Sequence, residues 1–326
     1  MTTKQTLPTV HILYENPAWL PPLEEGLTAE GFEYRLVKVN EGILDPSKVP
    51  AEGIWINRLS PSSHTRGHDT TIPLGREYLA WLQAHGRRIV NGVNAFELEM
   101  SKTRQDIALR RQGIRTPKTV LAVGKVQLLE AAAQFSGPFI TKHNQGGKGL
   151  GIHLFQSAEQ LKTHLESELF DPGPEGKIIL QQYIQAANPY ITRVEIVGGR
   201  LLFAMRSSTE QGFQLCPSDA CQVPAAGPDV CPADGGSSKF SKANLDASDP
   251  LVQSYIRLCA QEQIEIAGIE FVEDENGVRY TYDINGTTNY SGVLGKAIGI
   301  DGMREFARYL RRQVVPEVAA RRAVAA

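Results

Sequence analysis

Apolar and polar positions in the first 95 residues form two kinds of segment. Short apolar runs bounded by turn residues predict strands in "TVHILY", "YRLVKV", "GIWINR" and "RRIVNG". Between them, apolar residues recur with a helical period, first at Leu20, Leu23 and Leu27 and then in "PLGREYLAWLQAHG", which Gly86 closes. Strands that alternate with helices predict a small open parallel sheet.

The pattern changes in the next ninety residues. A helix is predicted from about residue 95 to 111, and "QGIRTPKTV" ends it and leads into a strand. Residues 119–184 then predict strand, helix, strand, glycine loop, strand, helix and strand, the second helix opening with a Ser157/Gln160 capping box. After a turn-rich connector, "YITRVEIVGGRLLFAMRSS" predicts a hairpin that turns at Gly198–Gly199.

The last third begins with an irregular segment from residue 207 to about 249, rich in Gly, Pro, Ser and Asp. A loop of that length inside a compact domain is typical of a functional or disordered segment. A helix capped by Asp249 follows, and then two strands around an Asn276–Gly277 turn. An apolar stripe over residues 303–310 predicts a final helix, and "PEVAARRAVAA" is expected to fray.

Composition narrows the class of protein. The chain has 326 residues, enough for two or three packed units, and is 41% hydrophobic and 21% charged, as ordinary globular proteins are. Its net charge of −2 argues against a nucleic-acid partner. No apolar run approaches the roughly 18 residues of a membrane span, and the first residues lack the apolar core of a signal peptide. We therefore expect a cytoplasmic protein.

Three of the four cysteines, Cys216, Cys221 and Cys231, crowd into "LCPSDACQVPAAGPDVC". Their C-x4-C-x9-C spacing lacks the paired C-x2-C knuckles of structural zinc sites. Reduced thiols in a loop are the main expectation, and a metal or redox role is the alternative. A disulfide is not expected in a reducing compartment.

The stretch "FITKHNQGGKGLGIHLF" places four glycines between two strand-like runs, with Lys142 just before them and Lys148 among them. Glycine lets backbone N–H groups approach an anion closely, and lysine supplies a point charge suited to phosphate. This combination predicts a phosphate lid, although the G-x4-G-K-[ST] pattern of a Walker A loop is absent. From the loop alone, a flexible hairpin with solvent-facing lysines stays an equal alternative.

Hard oxygen ligands are grouped near the end of the chain. Asp283 and Asn285, two residues apart, point to the same face of a strand, and pairing around the 276–277 turn brings Glu270 within reach of Asp283. Two carboxylates and an amide oxygen suit Mg²⁺ shared with phosphates. The alternative is a solvated hairpin face, which the apolar flanking residues disfavour.

Taken in order, these segments resemble the ATP-grasp carboxylate–amine ligases, and most closely the RimK-like (alpha-L-glutamate ligase) branch. The resemblance runs from "IWINRLSPSS" through "MSKTRQ", the glycine loop, "ILQQYI" and "ITRVEIVGG" to "IAGIEFVED" and "YTYDINGTTNYSG". It implies an α/β (α+β) ATP-grasp fold. An N-terminal pre-ATP-grasp subdomain at 1–95 would precede a central subdomain at 96–184, a C-terminal one at 185–316 and a tail at 317–326.

The resemblance also implies site residues. Lys102 and Lys142 match the two nucleotide lysines, and Arg193 matches the arginine near the transferred phosphate. The family often has an acid at Gln182, usually a Glu at Asp283, and a ribose-binding carboxylate near the position where this chain has Ile191. The remaining matches are Gly146, Gly147, Lys148 and Gly149 for the lid, Gln181, Gln182, Tyr183 and Ile184 for adenine, and Glu270, Asp283 and Asn285 for the metal.

The implied reaction is an ATP-dependent ligation. A substrate carboxylate attacks the γ-phosphate, and an amine displaces phosphate from the acyl phosphate to form an amide, releasing ADP. ATP and Mg²⁺, with Mn²⁺ as an alternative metal, are the expected cofactors, and the substrates are expected to be amino acids or small peptides. No nucleic-acid or membrane partner is expected, and a homo-oligomer stays open. An ATP-grasp enzyme with a different acceptor, or a non-catalytic nucleotide-binding protein, are the alternatives.

Substrate residues are predicted in two other places. "NRLSPSSHTRGHD" follows a strand, where open sheets bind ligands, and its Arg58 and Arg66 can hold a carboxylate. A hydrophilic surface loop is the alternative, and a base role for His64 or His68 stays open. Arg206, before the 207–242 loop, is predicted to be catalytic. The other predicted substrate residues are Ser62, Ser63, His64 and Asn289.

Overall fold

The computed structural model describes residues 7–147, 149, 151–210 and 239–325, and side chains as far as residue 314. Its first sheet is wholly parallel, in the order β2-β1-β3-β4, as the alternating pattern predicted. The strands are β1 (Val10–Tyr14), β2 (Tyr34–Lys38), β3 (Ile54–Arg58) and β4 (Arg88–Val90).

Helices cover both faces of this sheet. Leu23 and Leu27 of α1 (Pro21–Ala29) pack with Val10 and Ile12 on one face. On the other face, α2 (Thr71–Ala84) packs against Leu13 and Trp55. Burial on both sides explains why the strands are nearly continuous apolar runs. Two short 3-10 turns, Pro17–Trp19 and Ser63–Arg66, follow the carboxyl ends of β1 and β3.

The single helix predicted from about residue 95 to 111 is wrong, because the structure has two helices there. These are α3 (Val93–Glu99) and α4 (Lys102–Arg111). Ser101 adopts an extended backbone between them, and its hydroxyl accepts a hydrogen bond from the Arg104 N–H at 3.3 Å. Serine is a preferred N-cap, so its side chain begins a new helix. Lys102 consequently stands at the first position of α4.

The second sheet is antiparallel, in the order β5-β8-β6-β7. Leu128 of α5 and Leu161 of α6 pack against it together with Phe139 and Phe155. The glycine loop lies between β6 and β7, two paired strands, as predicted. The elements are β5 (Thr119–Ala122), α5 (Lys125–Ala132), β6 (Phe139–His143), β7 (His153–Phe155), α6 (Ala158–Glu166) and β8 (Ile178–Gln182).

The third sheet has the order β11-β10-β9-β12-β13 and turns at the two predicted glycine positions, 198–199 and 276–277. Tyr255 of α7 packs on one of its faces. The predicted cysteine loop, with Cys216, Cys221 and Cys231, lies outside the described residues. The elements are β9 (Tyr190–Val197), β10 (Arg200–Ser208), β11 (Phe240–Lys242), α7 (Pro250–Gln261), β12 (Ile266–Glu273) and β13 (Arg279–Asn285).

Each sheet with the helices packed on it is called a unit below, and the units are numbered in the order of the sheets. The last two helices, α8 (Gly292–Ile298) and α9 (Gly302–Ala325), return to the first unit. Phe306 and Leu310 of α9 are buried with residues of α1. The helices approach so closely at Gly26 that a Cβ there would lie 2.9 Å from the Met303 carbonyl oxygen. Helix α9 continues to Ala325, beyond the expected boundary at 316. Within the described chain, no helix is both long and apolar enough to span a membrane.

Candidate active site

A cavity of about 480 Å³ lies where the three sheets meet. Each unit contributes to its wall, through Ser62 from the first, Lys142 from the second and Asp283 from the third. Such a crevice between units is where ligands are expected to bind. The predicted site residues that line it are Ser62, Lys102, Lys142, Gly146, Gly147, Gly149, Gln181, Gln182, Tyr183, Ile184, Arg193, Glu270, Asp283, Asn285 and Asn289.

The glycine loop forms one wall. Its backbone adopts a positive φ at Gly149, a conformation that glycine adopts without strain. A Cβ built at Gly147 would lie 3.5 Å from the Ser62 Cβ, so the loop reaches the first unit. At its base, the backbone N–H of Lys102 donates to the Asn144 carbonyl oxygen at 3.0 Å. Lys148 lies outside the described residues, and its predicted role stays a prediction.

Lys142 is held at the end of β6 with its side chain buried in the cavity wall. Burial, together with the nearby charge of Lys102, lowers the pKa of Lys142 to about 8. Its Nζ lies 5.6 Å from the ring centroid of Tyr282. A buried ammonium group is costly without a counter-charge, so an anionic ligand beside Lys142 would be stabilised.

The three predicted metal ligands are neighbours on paired strands. Glu270 lies opposite Asp283, and Asn285 lies opposite Gly268, whose carbonyl oxygen accepts a hydrogen bond from Asn285 Nδ2. Burial raises the pKa of Glu270. Within the described residues, no three His, Cys, Asp or Glu side chains form a metal cluster.

The oxygens of these ligands are engaged in ion pairs. Glu270 pairs with Arg193 at 2.8 Å, and Asp283 pairs with Lys102. The Asn285 Oδ1 stays available because the amide nitrogen makes the bond to the backbone. Two carboxylates and an amide oxygen are the hard donors that Mg²⁺ prefers. The residues therefore fit a magnesium ion, which would replace Lys102 and Arg193 as the partner of the two carboxylates.

Arg193 is held rigidly on β9. It is 3% exposed, and its Nε and Nη1 donate to Glu195 at 2.7 Å and to Glu270 at 2.8 Å. The guanidinium lies over Gly268 of β12, where a Cβ would fall 2.1 Å from Nη2. Arg193 thus occupies a slot formed by two carboxylates and a glycine.

The residues predicted to contact adenine lie at the end of β8 and directly after it. Gln181 donates to the Thr119 hydroxyl at 2.9 Å, and the Oε1 of Gln182 accepts from the Lys118 N–H at 3.2 Å. Apolar side chains of Ile140, Ile152, Ile184, Ile191 and Val272 also line this part of the cavity. An apolar slot of this kind suits a flat base.

Sequence reasoning missed three residues. Glu195 is fully buried and follows Arg193 by two positions, so both side chains share one face of β9, a spacing that could have revealed the pair. The Tyr282 hydroxyl donates to Glu270 at 3.2 Å. Glu99 lines the cavity from the end of α3. Because the sequence predicted one continuous helix here, it did not indicate that Glu99 lies at a helix end.

Glu99 is 4% exposed and supports the turn after β13. Its Oε1 accepts hydrogen bonds from the backbone N–H of Thr287 at 2.9 Å and from the Thr287 hydroxyl at 2.7 Å. Burial raises the pKa of Glu99 to about 7. The neighbouring Thr288 hydroxyl donates to Glu195 at 3.1 Å. Buried carboxylates therefore hold this turn from two sides.

The predicted carboxylate pair, Arg58 and Arg66, is not formed at the cavity. Arg58 is buried behind the turn, where it donates to the Thr288 carbonyl oxygen at 2.9 Å and to the Asn289 side chain. Desolvation lowers its pKa to about 10. Arg66 is ion-paired with Glu15. Neither arginine lines the cavity, so we remove both from the candidate substrate contacts.

Arg206 is also misplaced by the prediction. It lies opposite Thr192 in the β9–β10 pairing, whereas Arg193 lies opposite Met205. Successive residues of a strand point to opposite faces, so Arg206 faces away from the site. It is exposed and stacks over Tyr190, 4.4 Å from the ring centroid. We therefore remove Arg206 from the catalytic candidates.

Two further substrate candidates stay outside the cavity lining. Ser63 is buried within the 3-10 turn. His64 approaches His143, at the base of the lid, with 6.5 Å between ring centroids. Burial lowers the pKa of His64, which keeps it neutral near pH 7. His68 contacts Glu15, with 2.7 Å between Nδ1 and Oε2.

Known proteins resemble this chain in sequence and in fold. Residues 100–215 match the model of the RimK-like ATP-grasp domain. A probable alpha-L-glutamate ligase of Mannheimia succiniciproducens is 22% identical over 256 residues, which cover 76% of this chain and 78% of that protein. The crystal structure of a RimK domain ATP-grasp protein from Sphaerobacter thermophilus superposes with a TM-score of 0.65 at 18% identity, covering 92% of this chain and 98% of that one.

A second solved structure adds bound ligands. The ATP-grasp ligase PsnB, complexed with a phosphomimetic precursor variant, Mg and ADP, has a TM-score of 0.61 at 13% identity, covering 95% of this chain and 100% of that one. The fold is therefore the ATP-grasp fold, as the sequence predicted. Over residues 100–215, the chain is similar to the RimK-like ATP-grasp domain, the family that its motifs resemble.

Proposed function

We propose that this protein is an ATP-dependent, ADP-forming ligase that joins a carboxylate to an amine through an acyl phosphate. The observation that carries the proposal is the grouping of Lys102, Lys142 and Arg193 around two paired carboxylates beneath a glycine loop. This arrangement neutralises phosphate charge from several sides, which is most of what phosphoryl transfer requires of a protein. The RimK-like domain and the ligases that share the fold support it.

Each side chain has a role in this scheme. Lys102 and Lys142 hold the phosphates of ATP, and the apolar slot beside β8 holds the base. Glu270, Asp283 and Asn285 would hold Mg²⁺, which neutralises charge on the phosphates when bound. The glycine loop covers the phosphates and excludes water, because an acyl phosphate hydrolyses readily.

Arg193 acts in both half-reactions, the phosphorylation of the carboxylate and the attack of the amine on the acyl phosphate. A substrate carboxylate oxygen beside it attacks the γ-phosphorus, and the bond to ADP breaks. The amine then attacks the acyl carbon, and Arg193 offsets the charge of the tetrahedral intermediate and of the departing phosphate. The substrates we propose are amino acids or small peptides. We also propose a cytoplasmic location, where ATP is available and the buried Cys259 stays reduced.

The test is a turnover assay with Mg·ATP and the twenty amino acids supplied together, in which ADP and phosphate are measured. A ligase releases both only when amino acids are present. Asp283→Ala should reduce this turnover at least about 100-fold, since it removes one metal ligand. Glu275→Ala, at the exposed tip of the same hairpin, is the matched control and should keep full activity. Nucleotide binding without amino-acid-dependent turnover would count against the proposal.

A further inference from the structure

One buried carboxylate of the cavity has no role in the scheme above. Both hydrogen bonds that Thr287 donates to Glu99 go to Oε1. No residue in the described part of the chain donates a hydrogen bond to the other oxygen, Oε2. The side chain is 4% exposed and lines the cavity, so Oε2 is left for a ligand that enters there.

The charges of the cavity wall are unevenly distributed. Among the described lining residues, the cations are Lys102, Lys142 and Arg193. Lys102 and Arg193 form ion pairs with Asp283 and Glu270, so they belong to the phosphate and metal end. Lys142 belongs to the same end, because the charge of Lys102 acts on it and its Nζ lies 5.6 Å from the ring centroid of Tyr282. The described cations therefore all serve the nucleotide end.

Near Glu99, the cavity wall includes the hydroxyl and amide side chains of Ser60, Ser62 and residues 287–289. The charges of Arg58 and Asp283 also act on Glu99. Arg58 lies behind this wall, and its two Nη atoms are engaged by the turn. Burial still raises the pKa of Glu99 to about 7, so the surroundings do not fully compensate its negative charge. A cationic ligand at Oε2 would compensate it.

We propose that Glu99 binds the amine substrate, an inference that rests on the ligase function proposed above. The amine enters as an ammonium group that donates to Oε2. It loses one proton before it attacks the acyl carbon and a second when the tetrahedral intermediate collapses, and both protons leave to phosphate and solvent. The N–C bond forms when the amine adds to the acyl carbon, and the C–O bond to phosphate breaks when the intermediate collapses.

This contact defines the class of amine as one that is protonated in solution. Amino acids and amino-acid amides meet this requirement, whereas an uncharged hydroxyl analogue does not.

The experiment compares Glu99→Gln with the wild type, using the best amine donor found in the pooled assay. Glutamine keeps an acceptor for Thr287 but removes the charge. The KM for the amine should rise about 10- to 100-fold, while the KM for ATP changes less than about 2-fold. Glu97→Gln is the matched control, because Glu97 lies on the same helix and pairs with Arg76 at 2.7 Å, outside the cavity lining. Its KM values should match the wild type.

A hydroxyl analogue of the amine donor separates binding from a structural role. The wild type should bind the amine more tightly than the uncharged analogue, and Glu99→Gln should bind both about equally. Equal loss for both compounds, or an unchanged KM for the amine, would overturn the inference. Wild-type protein without any amino-acid-dependent turnover would instead overturn the ligase function itself, and the inference with it.

Discussion

At the scale of single residues, the site is a set of buried charges that compensate one another before any ligand binds. Arg193 is balanced by Glu195 and Glu270, and Lys102 is balanced by Asp283. Breaking a buried pair leaves an uncompensated charge, so these residues depend on one another. Lys142 is different, because burial lowers its pKa to about 8. That difference makes Lys142 sensitive to pH.

Nucleotide affinity should therefore fall as the pH rises above 8. The pKa of Lys142 is depressed to about 8, so its phosphate-binding ammonium form is lost as the pH increases through that value. The Kd for Mg·ADP, measured from pH 7 to 9.5, should increase by up to about tenfold per pH unit above 8. Lys142→Arg stays charged over this range and should remove the dependence. The same slope in both proteins would contradict the assignment.

Gly268 should be as important as the arginine it accommodates. A Cβ at this position would fall 2.1 Å from Arg193 Nη2, and the guanidinium cannot move aside because two carboxylates hold it. Gly268→Ala should lower kcat about 100-fold in the turnover assay, since small displacements of a positioning group cost about that much. Gly137→Ala, where a Cβ meets nothing within 4 Å, is a control for the cost of adding a methyl group. Full activity of Gly268→Ala would contradict the slot described for Arg193.

At the scale of elements, the break between α3 and α4 brings two functional side chains to the cavity. Glu99 is the last residue of α3, and Lys102 is the first of α4. In a continuous helix, the two residues would be three positions apart on one face. The break instead places each of them at the end of its own helix. The N-cap at Ser101 therefore contributes to the site as well as to helix stability.

Ser101→Ala should show this double role. Loss of the cap should lower the free energy of unfolding by about 1 kcal/mol, measured by urea denaturation, and should weaken Mg·ADP binding because Lys102 follows directly. Ser157→Ala removes the corresponding cap of α6, where Ser157 accepts from the Gln160 N–H. It should lower stability by a similar amount and leave the nucleotide affinity unchanged. Equal nucleotide affinity in the two variants would contradict the link between cap and site.

Local sequence patterns predicted most of the elements but not the contacts between residues that are distant in sequence. Apolar runs predicted the strands, and glycine positions predicted the turns, because both depend on neighbouring residues. The hydrogen bond from Arg58 to the Thr288 carbonyl oxygen joins positions 230 residues apart. Arg66 and Glu15 are joined across 51 residues. No local pattern contains such partners, so the sequence located these arginines near the site but not their role.

At the scale of the whole molecule, the cavity exists only because three units meet. The glycine loop of the second unit touches Ser62 of the first, and the third unit supplies the metal ligands. A ligand in this cavity stabilises contacts between units as well as those within each one. Binding should therefore be detected in segments that are distant in sequence.

Hydrogen exchange can test this coupling. Mg·ADP should slow amide exchange together in residues 60–64, in 144–147 and in the β12–β13 hairpin. Helix α6, which lies outside the cavity lining, serves as an internal reference and should exchange at the same rate with and without the nucleotide. Protection confined to the second unit would contradict a site shared by all three.

The packing of α9 on α1 has a consequence for how this protein can be divided. Phe306 and Leu310 are covered by the first unit, although they follow the third in the chain. A fragment that starts at residue 96 would leave this apolar stripe exposed to water, and such a stripe favours aggregation. The nucleotide-binding half is therefore not a detachable module. Chimeras that exchange substrate specificity between relatives should carry α1 and α9 together, as one cassette taken from the same parent.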